Sequence, residues 1–149
     1  MSELEPIDKA IVRELAADGR RSFTDLAERV GLSVSAVHQR VRRLEQREVI
    51  RGYAARLDAE AIGLPLTALI SLTPIDPAAP DDYPQRLEHI PEIESCYSVA
   101  GDESYILLVR VASPTNLEDL LRKIRESAKV STRTTVVLST PYEGRSPAL

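Results

Sequence analysis

Residues 31–53 read GLSVSAVHQRVRRLEQREVIRGY and hold five arginines against two acids, in a 149-residue chain whose formal net charge is -4. At about 100° per residue, Val34, Val37, Val41 and Leu44 fall within an arc of about 80°, the stripe of a docked amphipathic helix. Ser33 is its expected N-cap, and the helix should run to about Arg47. Ser35, His38, Gln39, Arg42, Arg43 and Gln46 fall on the opposite side. A merely solvated helix face would mix acids with bases, yet here acids begin only at Glu45. The outward residue types suit nucleic acid instead. Gln can pair with adenine, Arg can fork onto guanine, and Ser or His can reach bases or phosphates. Ser33, Ser35, His38, Gln39, Arg40, Arg42 and Arg43 form the candidate DNA-binding set.

Working outward, the charge is uneven. Residues 20–56 hold nine Arg and four Asp/Glu, a net of +5, whereas residues 1–19 sum to -3 and residues 57–149 to -6. A basic island between acidic flanks is the electrostatic footprint of a local nucleic-acid site. Upstream of the island, Pro6, the stripe Ile7/Ile11/Leu15 and the stop at Gly19 predict a helix over 6–18. Ser22 with Asp25 resembles a capping box, and Leu26, Ala27 and Val30 face inward along 23–30 before Gly31. The Gly31-Leu32-Ser33 link leaves room only for a tight turn. Three helices with that turn before the last make a helix-turn-helix.

Downstream, VIRGYAARL (49–57) changes period and reads as a strand. Gly63 and Pro65 then mark a junction between domains. Strands are expected over 66–73, 93–100, 104–112 and 131–140, with helices over 82–90 and 115–128 and a hairpin turn at Gly101-Asp102-Glu103. The order is β-α-β-β-α-β, the ferredoxin-like split motif. Two helices cover one face of such a sheet. The phasing leaves Thr67, Leu69, Ile106, Leu108 and Val137 on the other, so a second copy of the chain is expected against it.

Other features bound the function. No signal peptide is expected at the N-terminus, and no apolar run nears the ~18 residues of a membrane span. The single cysteine, Cys96, excludes an internal disulfide and a cysteine-based zinc site, and its apolar strand suggests a buried small hydrophobe. His89 reads as a capping or surface residue because no partner lies at metal-ligand spacing. No Ser/His/Asp or Cys/His set is visible, so no catalytic residues are assigned and the chain reads as a non-enzyme without cofactor or metal. Tyr97 and Tyr105 read as sheet residues, and EGRSPAL (143–149) as a mobile tail.

The fragments IDKAIVRELAADGR, FTDLAERVG and LSVSAVHQRVRRLEQREVIRGY, in this order and spacing, resemble the winged helix-turn-helix of the Lrp/AsnC (feast/famine) transcription regulators. The βαββαβ half, with its Gly101-Asp102 turn and threonine-rich last strand, resembles that family's ligand-binding module. The resemblance covers about residues 6–142. It implies an α+β chain: a helix-turn-helix domain over 1–48, a strand linker over 49–65, and a ferredoxin-like effector-binding and oligomerisation domain over 66–149. It further implies binding of double-stranded promoter DNA as a homodimer, with assembly toward an octamer, and sensing of an amino acid, in the cytoplasm at the nucleoid. An amino acid needs acceptors for its ammonium and donors for its carboxylate. Gly101, Asp102, Glu103, Ser104 and Tyr105 in the turn, with Thr134 and Thr135 on the last strand, are the effector candidates.

Two departures from the family pattern stand out. Glu48 takes the place of a usual glycine, at a cost of roughly 1 kcal/mol if the left-handed conformation is kept. Ser104 takes the place of a carboxylate. Two other functions share the architecture: a nucleoid-like architectural protein without a ligand, and a tetrapyrrole decarboxylase. The second is disfavoured because His89 is the only histidine in the second half.

Overall fold

The computed structural model describes residues 4–148 and divides into two compact units. The described residues of Met1–Arg56 and Tyr142–Leu149 form one, and Leu57–Pro141 forms the other.

The first unit is built from α1 (Pro6–Ala17), α2 (Phe23–Val30) and α3 (Val34–Gln46). Ile11, Leu15, Leu26, Ala27, Val37, Val41 and Leu44 close its core. Val34 is the member of the expected stripe that stays out, at 46 % exposure. It occupies the first position of α3. The end of α3 repeats a chain-reversal motif without its usual residue. Glu48 lies in the left-handed region at φ 56, its N–H donates to the Glu45 carbonyl, and the Val49 N–H donates to that of Leu44. This is a Schellman closure with glutamate at the glycine position.

Residues 49–57, expected as a strand, carry no ladder, and the unit contains no wing hairpin among the described residues. The β-formers of VIRGYAARL favour extended backbone, but a strand also needs a neighbour to bond. The terminal segment is better held than its composition suggests. Ser146 Oγ donates to the Ala16 carbonyl at 3.0 Å, and Arg56 Nη2 donates to that of Glu143 at 2.8 Å.

The second unit has the order β1 (Leu66–Pro74), α4 (Tyr83–Leu87), β2 (Ile93–Ser98), β3 (Tyr105–Val111), α5 (Pro114–Ala128) and β4 (Val130–Val136). All neighbours in its sheet, ordered β2-β3-β1-β4, are antiparallel. Period-two alternation sends Ala68, Ile70, Leu72, Leu107 and Val109 toward α4 and α5, where Leu87, Leu117, Leu120 and Ile124 complete the core. Ser113 caps α5, its Oγ accepting from the Asn116 N–H at 3.2 Å. Two elements are shorter than their sequence pattern. α4 stops at Leu87 because Pro91 biases Ile90 away from helical backbone. β4 stops at Val136 because its neighbour β1 begins at Leu66 and offers one further bond, in which the Val137 N–H donates to the Thr67 carbonyl.

The face away from the helices carries Leu69, Ile106 and Leu108, as the phasing predicts, and Tyr97 joins them opposite Ile106. Leu69 is 37 % and Tyr97 52 % exposed. Cys96 departs from expectation. The irregularity between Ile93 and Ser95 sets it opposite Leu107 on edge strand β2, where the five-residue α4 fails to cover it. The thiol is exposed beside a cleft of about 400 Å³ that Gln85, Leu87 and Glu88 also line.

Candidate nucleic-acid interface and effector site

The geometry of the first site starts at the turn. Ser22 Oγ accepts from the Asp25 N–H and starts α2, and Gly31, left-handed at φ 71, ends it. Ser33 Oγ then accepts from the Ala36 N–H and starts α3. Two caps and one left-handed glycine thus fix the angle at which α3 leaves α2. Because Val37, Val41 and Leu44 are committed to the core, rotation of α3 about its axis is fixed as well.

Ser33, Ser35, His38, Gln39, Arg42 and Arg43 are all exposed, as expected for the outward face. Arg40 is not part of it. Its Nη1 lies 2.8 Å from Asp8 Oδ1 and 3.0 Å from Glu5 Oε2, so it is turned toward α1. The physical reason is angular: residue 40 lies about 40° past one edge of the buried stripe, on the flank of the helix. A further residue joins the face. The exposed ring of Phe23, first in α2, meets His38 edge-on with centroids 5.1 Å apart. Spacing within α3 alone does not signal it.

The basic island therefore resolves into two populations. Arg21 and Arg29 pair with Asp25 and Glu14, and Arg40 with Asp8 and Glu5. Asp25 is held below the ordinary aspartate range, first by its bond from Arg21 and then by that from Arg29. Arg42 and Arg43 have no ion-pair partner among the described residues. The paired arginines fasten the three helices together; Arg42 and Arg43 stand outside that network. Tyr53, just beyond α3, donates to Glu45 Oε1 at 2.9 Å, and burial together with that bond pushes its phenol up to about 12.

In the second unit the effector candidates divide between the two sheet faces. Gly101, Asp102, Glu103 and Ser104 form the β2–β3 turn, anchored where the Ser104 N–H donates to the Leu72 carbonyl. Glu103 forms an ion pair with Arg133 of β4 and accepts from the Ser71 hydroxyl of β1. Its carboxyl is held below the usual range, first by its own backbone N–H, then by Ser71 and Arg133. Register places Arg133 opposite Ser71 and Thr135 opposite Leu69, so all four share the open face. Thr134 lies opposite Ile70 on the helix face. Tyr105 also points away from the turn's polar groups. It is 7 % exposed, its hydroxyl donates to Asp81 Oδ1 at 3.0 Å, and its ring stands edge-on to Tyr83. Ser71 and Arg133 were missed by sequence reading, although period two from Thr135 leads to Arg133.

Family comparison agrees with both halves. Residues 4–45 match the AsnC-type helix-turn-helix domain, and residues 67–147 match the Lrp/AsnC ligand binding domain. The chain belongs to the Lrp/AsnC family of transcriptional regulators. Among its Lrp/AsnC relatives is the HTH-type transcriptional regulator LrpA of Mycobacterium tuberculosis, 61 % identical over 95 % of each chain. The leucine-responsive regulatory protein of Escherichia coli is 36 % identical, over 91 % of this chain and 85 % of that one. A solved structure of the feast or famine regulatory protein of M. tuberculosis, complexed with L-methionine, superposes with a TM-score of 0.95. It is 60 % identical and covers 97 % of this chain and 99 % of that chain. As an Lrp/AsnC member, the chain is a DNA-binding transcriptional regulator that carries a ligand-binding module.

Proposed function

We propose that this regulator reads promoter DNA with the outward face of α3 and that an α-amino acid bound to the second unit alters its DNA binding or assembly. Residues 1–48 read, 49–65 link, and 66–149 sense and assemble. The observation that carries the DNA half is the contrast among arginines. Arg42 and Arg43 stand exposed without an internal counter-charge beside Gln39 and His38, while Arg21, Arg29 and Arg40 are neutralised within the unit. Ser33, Ser35, His38 and Gln39 are assigned to base edges and adjacent phosphates, and Arg42 and Arg43 chiefly to phosphates.

The effector half rests on the Glu103–Arg133 pair. A carboxylate and a guanidinium side by side are complementary to the ammonium and carboxylate of an amino acid, which can exchange partners with them. Thr135 on the same face, with Gly101, Asp102 and Ser104 in the turn, supplies neutral and charged groups around that pair. The bound methionine of the M. tuberculosis protein supports an amino acid as the ligand class. The open sheet face supports homodimerisation, and dimers associating toward an octamer complete the reading. Cytoplasmic residence at the nucleoid follows from this role.

The test is a thermal-shift screen of the full chain against the twenty amino acids. A true effector at a hundred times its Kd stabilises by about 2.7 kcal/mol through mass action. One or a few amino acids should raise Tm, and Glu103→Gln should abolish that rise. No selective response among the twenty would overturn the effector half.

A further inference from the structure

Among the described residues, Asp8 is the one polar or charged side chain fully withdrawn from solvent, at 3 % exposure. A buried carboxylate is tolerated only when paired and hydrogen-bonded, so its surroundings must accommodate it. Two features do so. Asp8 lies in the first turn of α1, where the helix dipole favours a negative group. Opposite it, 32 residues away in sequence, Arg40 donates from Nη1 to Asp8 Oδ1 at 2.8 Å and also reaches Glu5.

The position of Arg40 makes this more than a packing contact. It stands between Gln39 and Arg42, both exposed and both assigned to DNA. A free arginine at that place, on a flexible stem, would reach for phosphate and add sequence-independent affinity. Bound to Asp8, its guanidinium is spent on α1, and it ties the middle of α3 to the start of α1. Val37, Val41 and Leu44 set the rotation of α3 by packing alone, which is non-directional. The ion pair adds a directional restraint at the level of the reading residues.

We infer that Asp8 is a positioning residue for DNA recognition: it holds Arg40 off the DNA-facing surface and fixes how α3 presents Gln39 and Arg42. The inference rests on α3 being the reading helix. Its consequence is specific: the pair raises discrimination between sequences while lowering indiscriminate affinity. A contact that only stabilised the fold would move both together.

The experiment uses the full-length chain, a duplex that the wild type selects from a randomised library, and a scrambled duplex of equal composition. Affinities for both are measured across a salt series, and folding is verified by circular dichroism. Asp8→Ala combined with Glu5→Gln removes both carboxylates that hold Arg40 and releases it. The slope of log K against log salt should steepen by about 0.9, the increment for one added phosphate contact. The ratio of selected to scrambled affinity should fall at least about fivefold. Arg40→Met should leave the slope at the wild-type value while lowering the same ratio. Arg40→Lys, which keeps a cation facing Asp8, should retain slope and most of the ratio, and it serves if Arg40→Met does not fold. An Arg40→Met slope flatter by about one contact with an unchanged ratio would show Arg40 on phosphate and overturn the inference. So would a ratio that collapses in Arg40→Lys, which would make Arg40 a base reader, or wild-type behaviour of the Asp8→Ala/Glu5→Gln variant. A wild type that selects no duplex would refute the DNA reading itself.

Discussion

Replacing Glu48 by glycine should stabilise the helix-turn-helix unit, and the size of the gain can be worked from the backbone. Glu48 sits at φ 56, where a side chain costs about 1–2 kcal/mol. Glycine removes that cost but loses about 0.5–1 kcal/mol through the greater freedom of the unfolded chain. The exposed Glu48 carboxylate also stands at the negative end of α3, and its removal adds about 0.3 kcal/mol. The net is a gain of about 1 kcal/mol. Both Schellman bonds, Glu48 N–H to Glu45 O and Val49 N–H to Leu44 O, remain available to the variant. Hydrogen exchange of the α3 amides around Val41 and Leu44 reads the effect locally. A gain of 1 kcal/mol slows exchange about fivefold when opening is pre-equilibrated. Glu48→Ala keeps the left-handed cost and should recover only the small dipole share. The reasoning is refuted if Gly and Ala behave alike, or if Glu48→Gly speeds exchange.

Two further outcomes follow from the other faces of the molecule. Leu108→Arg puts a charge in the middle of the open sheet face between Leu69 and Ser95, so sedimentation should show loss of self-association with the ferredoxin-like unit still folded. The Asp25 carboxyl is lowered by Arg21 and Arg29, so its contribution is fully present above the unfolded value of about 3.9 and is lost as pH falls through the lower folded value. Acid titration of the first unit should therefore lose stability below about pH 4, and Asp25→Asn should lessen that acid sensitivity.

Much of this molecule was legible in its sequence because the responsible forces are local. The Ile11/Leu15 and Val37/Val41/Leu44 stripes, the Ser22 and Ser33 caps and the Gly31 turn declare themselves by spacing alone. Glu48 did too, since the motif demanded a left-handed residue whichever side chain filled it. The rest was decided by neighbours distant in sequence. Arg40 resembles its neighbours on α3 until Asp8 and Glu5 claim it. Tyr105 resembles part of a polar turn until Asp81 and Tyr83 draw it to the helix face. Cys96 looked buried because its strand is apolar, but it lies on edge strand β2, where the short α4 leaves it exposed. Residues 49–57 have the composition of a strand, and no composition supplies the partner that a strand requires.

The central claim is that the outward face of α3 touches DNA, and Arg42 is its least ambiguous residue: exposed, and without an internal partner among the described residues. The direct measurement is the affinity of wild type and Arg42→Ala for a selected and a scrambled duplex at several salt concentrations. The account predicts weaker binding to both duplexes and a salt slope shallower by about 0.9 in the variant. Arg42→Ala binding like the wild type, at every salt concentration and with the same slope, would contradict it.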